Sequence, residues 1–196
     1  MTSDVLVVAA HHTEHLDFVQ RIRHPVVVVS KTRDDIPGGM HTPVNKGFEA
    51  SAYLEYIVAH YDTLAEYTVF VHAHEHSWHH DGALDDLVNS LAFEGQYRNI
   101  NSERHYGNTD GSVIVPHMHL FSAVPDMPVP RRFRLCAQFY AHRDLLRRHP
   151  VGVYRALLDT VYTQTSVTSK FHATLFEWCW HAILTGLAYE HGVPEK

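Results

Sequence analysis

The chain has 196 residues, of which 45% are hydrophobic and 19% charged, with a formal net charge of −6. That length suits one domain with its own core, and the composition is too apolar for intrinsic disorder. No apolar run approaches a bilayer-spanning length, and the acidic balance gives no general field for nucleic-acid phosphates. Nineteen histidines stand out, because imidazole titrates near neutrality and is the commonest transition-metal ligand. Protonating a third of them would cancel the formal charge, so solubility should be poorest slightly below neutrality. Cys136 and Cys179 form neither a C-x-x-C pair nor a disulfide framework, and the start of the chain shows no basic leader. The expectation is a cytoplasmic protein in a reducing compartment.

Residues 5–10 and 25–30 are short β-branched runs of the kind found in strands covered on both faces, as in a parallel sheet. Apolar residues at helical spacing over 13–22, with Thr13 as N-cap, make the opening a βαβ unit. Residues 32–43, around Pro37-Gly38-Gly39, read as a loop. Three- and four-residue steps from Ala50 to Leu64 predict a helix over 49–61, which feeds a third strand over 68–72. A short helix follows over 81–91. The middle is less regular, with short strands at 97–100 and 112–115 and a Pro-punctuated stretch at 125–130 of the kind that forms active-site loops. A strand at 135–141 precedes helices at 144–148 and 153–162. The last helix, 170–187, is apolar nearly all round and should be buried. The fold class is α/β: a single Rossmann-like domain spanning 1–196, with a mostly parallel sheet flanked by helices and a buried C-terminal helix.

Three clusters could carry chemistry. His72-Ala-His74-Glu-His76-Ser-Trp78-His79-His80 follows the third strand, and ligands of open α/β sheets bind beyond the carboxyl ends of strands. If the strand continues, its period of two puts His72, His74 and His76 on one face, and these with His79 are the candidate metal ligands. Asn45-Lys46-Gly47, at the start of the 49–61 helix, offers backbone N–H groups and a lysine to an anion, with Glu49 next to it. Glu177 and His181, one turn apart on an apolar helix, make an acid–base pair or a structural couple. Cys136 is a weaker candidate, a nucleophile partnered by histidine. G-x-S-x-G, Walker A, H-E-x-x-H and G-x-G-x-x-G motifs are absent from the sequence.

The segment from Asn45-Lys-Gly-Phe-Glu49 through Tyr61-Asp62, the strand ending in His72-Ala-His74, the Trp78-His79 pair, Tyr97-Arg-Asn99, Cys136-Ala-Gln138-Phe139 and Glu177-Trp-Cys-Trp180-His181 resemble, in the same order, blocks of the domain of unknown function 3431 family. The Asn-Lys-Gly-x-Glu block, its helix and the strand ending in His are also similar to rhamnan-synthesis-type glycosyltransferases. That second resemblance implies a GT-A-type fold binding a nucleotide sugar at the carboxyl ends of its strands. Phe48 stands where those relatives usually carry Arg, and His72-Ala-His74 stands where most GT-A enzymes carry the Asp-x-Asp that holds a divalent ion. Imidazole in place of carboxylate favours Mn²⁺ or Zn²⁺ over Mg²⁺.

The leading expectation is a glycosyltransferase-like enzyme that moves a sugar from a nucleotide-diphosphate donor to a hydroxyl acceptor. The metal would sit on His72 and His74, the donor at Asn45, Lys46 and Gly47, and Glu49 or the Glu177/His181 pair would act as base. The alternatives are a His-ligated metalloenzyme unrelated to sugar transfer, with Glu75 or Glu177 as base, and a non-catalytic ligand-binding descendant. The partners expected are small molecules, with no nucleic acid and no membrane span.

Overall fold

A computed structural model describes residues 4–193. Its centre is a six-stranded sheet built from β1 (Val5–His11), β2 (Val26–Ser30), β3 (Met40–His41), β4 (Tyr67–His72), β5 (Tyr97–Asn99) and β8 (Phe139–His142), in the order β3-β2-β1-β4-β8-β5. The pairings β2–β3, β1–β2 and β1–β4 are parallel, while β8 pairs antiparallel with both β4 and β5. Five strands therefore point one way and β8 runs against them. A separate two-stranded ribbon joins β6 (Tyr106–Asn108) to β7 (Arg132–Arg134).

Why the central strands are β-branched throughout follows from what covers them. Val8, Ala10, Val29 and Phe70 belong to one core, beneath α1 (Phe48–His60), α4 (Val151–Thr163) and α5 (Ser169–Thr185). Val5, Val7, Ala9, Val28, Val69 and Val71 belong to a second core on the other face, covered by a 3-10 turn at Asp17–Arg21 and by α2 (Leu84–Asn89). Side chains alternate between faces and both faces are dry, so the sequence shows runs instead of alternation. The remaining helix, α3 (Arg143–Leu146), follows β8 directly.

The expected α/β sheet, the three parallel strands, and the helices equivalent to α1, α4 and α5 are present. Three local expectations are corrected. The 13–22 segment is helical only over Asp17–Arg21, as 3-10 helix, because Glu14 Oε2 accepts the N–H groups of His12 (2.6 Å) and Thr13 (3.0 Å) and holds that stretch in a turn. Residues 112–115 are not a strand but a turn leading into a 3-10 helix, Val115–Phe121, with Pro116 at its start. The strand expected at 135–141 begins at Phe139, since Cys136 has a left-handed φ of 68°.

Candidate functional site

The carboxyl ends of β1, β2 and β4 open into a pocket of about 650 Å³. The chain leaves β1 toward β2 on one side, while β4 lies on the other, so the pocket sits at a topological switch point of the sheet, where open α/β folds place ligands. His11 ends β1, Lys31 follows β2, and His72 ends β4. Phe48 and Glu49 enter from the first turn of α1, and Ser169 and Glu177 from α5.

The histidines come together, though not by continuation of the strand. β4 stops at His72, whose backbone N–H donates to Gln138 Oε1 (3.0 Å), and the following bends fold His74 and His79 back toward it. Ring centroids lie 5.0 Å apart for His72 and His79, 6.2 Å for His72 and His74, and 6.4 Å for His74 and His79. His72 Nε2 and His79 Nδ1 are buried without hydrogen-bond partners. Burial, reinforced by the neighbouring imidazoles, lowers the His72 pKa well below its ordinary value and that of His79 to about 4, so both rings are neutral with lone pairs available. His74 Nε2 lies 3.6 Å from Glu14 Oε1. His76 points elsewhere: its side chain is exposed and approaches Glu75, which is itself paired with Arg21. Among the described residues no three His, Cys, Asp or Glu side chains stand in metal-holding geometry.

Carboxyl groups form the opposite wall. Burial raises Glu49, the charge of Glu177 adds to this, and Lys31 works against it. Glu49 Oε1 has no partner. Glu177 is also raised by burial, while its Oε2 accepts the Cys136 N–H (3.2 Å). Cys136 is fixed in its left-handed conformation by that bond and by Asn101 Nδ2 donating to its carbonyl (2.7 Å), and Tyr53 donates to the next carbonyl, Ala137 O (2.8 Å). Burial and the two carboxylates push the Cys136 thiol up to about 12, which disfavours the thiolate that a nucleophile needs.

The anion site expected at the start of α1 is used differently. Lys46 Nζ donates to the carbonyls of Tyr162 (3.0 Å) and Gln164 (2.6 Å), and the Gly47 N–H donates to Ser169 Oγ (2.8 Å). Gly47 is required by packing: its φ is 76°, and a Cβ there would lie 2.2 Å from Val161 Cγ1. Asn45 lines the pocket, with Nδ2 3.2 Å from His12 Nε2. The cation on the pocket floor is Lys31. It is buried, donates to Ser51 Oγ and to Lys46 O (3.4 Å), and burial lowers its pKa to about 8 against the pull of Glu49 and Glu55.

His181 is separated from Glu177. It lines a second cavity of about 500 Å³, with Tyr97, Arg148 and Glu190, so the two residues do not act on one ligand. The sequence reading missed His11, Glu14 and Lys31. The rule that located His72 would have found them, since His11 ends a parallel strand and Glu14 and Lys31 follow the ends of two.

A family profile described as a protein of unknown function, DUF3431, matches residues 6–193. The chain belongs to the DUF3431 family. That match covers every strand of the sheet but for one residue of β1, together with all the pocket residues of this DUF3431 chain. No curated protein matches it significantly. No helix among the described residues is long and apolar enough to cross a membrane.

Proposed function

We propose that the protein is a glycosyltransferase-like enzyme that moves a sugar from a nucleotide-diphosphate donor to a hydroxyl acceptor. The observation that carries this reading is the single pocket outside the carboxyl ends of β1, β2 and β4, with a buried lysine, neutral imidazoles and two carboxyl groups facing one hollow. A parallel strand order β3-β2-β1-β4 with a pocket at the carboxyl ends is compatible with nucleotide binding, and the pocket's size falls in the range of small-molecule sites.

Two tasks must be met in such a transfer. Negative charge grows on the departing diphosphate, and Lys31, a buried ammonium without a carboxylate hydrogen bond, is placed to offset it in a poorly solvated setting. The acceptor hydroxyl must lose a proton, and Glu49, with a free buried oxygen, is the base. Glu177 holds the Cys136 backbone and raises Glu49 by its charge. The unpartnered nitrogens of His72 and His79 are the residues that would hold a borderline ion such as Mn²⁺ or Zn²⁺, which would add to the charge neutralisation that Lys31 provides.

The test is a panel of nucleotide sugars with Mn²⁺, read by donor hydrolysis and by melting temperature. Cleavage of at least one donor, lost in Lys31→Met, is expected. If no donor is cleaved the transferase reading is wrong, and if none shifts the melting temperature either, nucleotide binding falls with it.

The same two nitrogens favour a second reading, a His-ligated metalloenzyme unrelated to sugar transfer. Metal analysis of protein purified without an affinity tag separates the two. Stoichiometric, tightly held transition metal that nucleotides do not affect supports the second.

A further inference from the structure

The pocket has two chemically different parts. Its floor is polar, with Lys31, His72, Glu49 and Glu177. Its walls include two large aromatic side chains left in the open, Trp78 at 61% and Phe48 at 51% exposure. Single exposed apolar residues are ordinary, but here one has an unfavourable backbone and the other is oriented by two neighbouring rings. Phe48 has a φ of 49°, a left-handed conformation that a bulky L residue rarely adopts, and half of its surface stays open to solvent. Trp78 stands perpendicular to the rings of His79 and His105, with centroids 4.4 and 4.9 Å away. Those contacts orient the indole and leave most of it uncovered.

We infer that Trp78 is the stacking platform for the planar base of a nucleotide, with Phe48 as the second aromatic wall of the same subsite. This rests on the reading of the pocket as a nucleotide-sugar site and names the part of the ligand that the rim receives. A ligand that brings anionic oxygens to the floor and a flat heterocycle to the wall matches both halves. Base–aromatic stacking is strong and tolerant of base identity, because every base has a π-face.

Intrinsic fluorescence isolates the platform. Trp180 is buried at 1% exposure and Trp178 is half-buried against Phe133, so acrylamide quenching reports chiefly on Trp78. The probes are UDP, GDP, ADP and inorganic pyrophosphate, each with Mn²⁺. The nucleoside diphosphates are expected to shield Trp78 from acrylamide and pyrophosphate to leave it accessible. By calorimetry, Trp78→Leu should weaken the nucleoside diphosphates by about tenfold or more while leaving pyrophosphate unchanged. Trp78→Phe, which keeps a π-face, should retain most of the affinity, and Phe48→Leu should weaken the nucleotides without affecting pyrophosphate.

Four results would overturn the inference: nucleotides that bind without shielding Trp78, a Trp78→Leu variant that loses pyrophosphate as much as UDP, a free monosaccharide that shields Trp78 when nucleotides do not, or no nucleotide binding at all. Sugar transfer is not read in this experiment. A protein that stacks UDP on Trp78 yet cleaves no donor keeps the base subsite and loses the transferase reading.

Discussion

Lys31 and Lys46 show how little a lysine's position in sequence says about its work. Both line the pocket, but Lys46 spends its ammonium on two carbonyls at the end of α4, whereas Lys31 holds its own in the floor with a hydroxyl and one long carbonyl contact. Replacing Lys31 by Met is therefore expected to weaken nucleoside diphosphates about tenfold or more with little loss of stability, measured by calorimetry and thermal melting. Replacing Lys46 should act mainly on stability, because it frees two carbonyls. Glu49 gives a prediction with a definite sign. Its folded-state pKa is raised to about 8, so the stability linked to its proton is full below its ordinary value of 4.5 and is lost as pH rises through 8. Glu49→Gln should flatten the stability curve over that window, which denaturant melts at several pH values will show. If Glu49 is the base of the proposed transfer, it must be ionised to act, so the rate should climb toward pH 8 and fall by about 10²–10⁴-fold in the Gln variant.

At the level of elements, the close approach of α1 to α4 depends on Gly47. Gly47→Ala meets Val161 at 2.2 Å and demands a positive φ, so a loss of about 2 kcal/mol and a melting temperature lower by about 4–8 °C are expected. The strands β1, β2 and β4 could be read from sequence because burial on both faces writes a continuous β-branched run. The helices α1, α4 and α5 were legible because each is long enough for its apolar spacing to be unambiguous. The rest was decided by side chains acting on backbone. Glu14 binds the N–H groups before the 3-10 turn, and the Asp110 side chain accepts the Ser112 N–H in the turn that replaces an expected strand. Cys136 is turned out of β8 by partners 35 and 41 residues away in sequence, Asn101 and Glu177. No local pattern encodes such bonds. The candidate site was legible to the same extent: His72, His74, His79, Glu49 and Glu177 were found from their own neighbourhoods and do share the pocket. The fates of Lys46, His76 and His181 depended on elements distant in the chain.

For the molecule as a whole, the histidine content sets an acid limit. His172 and His181 are buried at 0% and 2% exposure, and burial lowers both to about 4. The folded state keeps them neutral while the unfolded chain protonates them near 6.5, so their contribution is full above pH 6.5 and is lost as pH falls toward 4. The two together should remove about 2.7 kcal/mol per pH unit in that interval, offset in part by Glu49 and Glu190, whose raised pKa values act in the opposite sense. Denaturant melts from pH 7 to pH 4 will check the slope, and replacing both by Gln should roughly remove that share of it.

The reversal of β8 has a consequence for how the cavity wall is supplied. Were all six strands aligned, the upper margin of the sheet would be made of departing chain alone. One opposed strand turns part of that margin into an arrival point, so Cys136 comes to Glu177 with its amide leading, from a loop whose consecutive carbonyls at Cys136 and Ala137 are held by Asn101 and Tyr53. Lengthening that loop would release a carboxylate on a distant helix, and the pocket would lose its shape before any strand is disturbed.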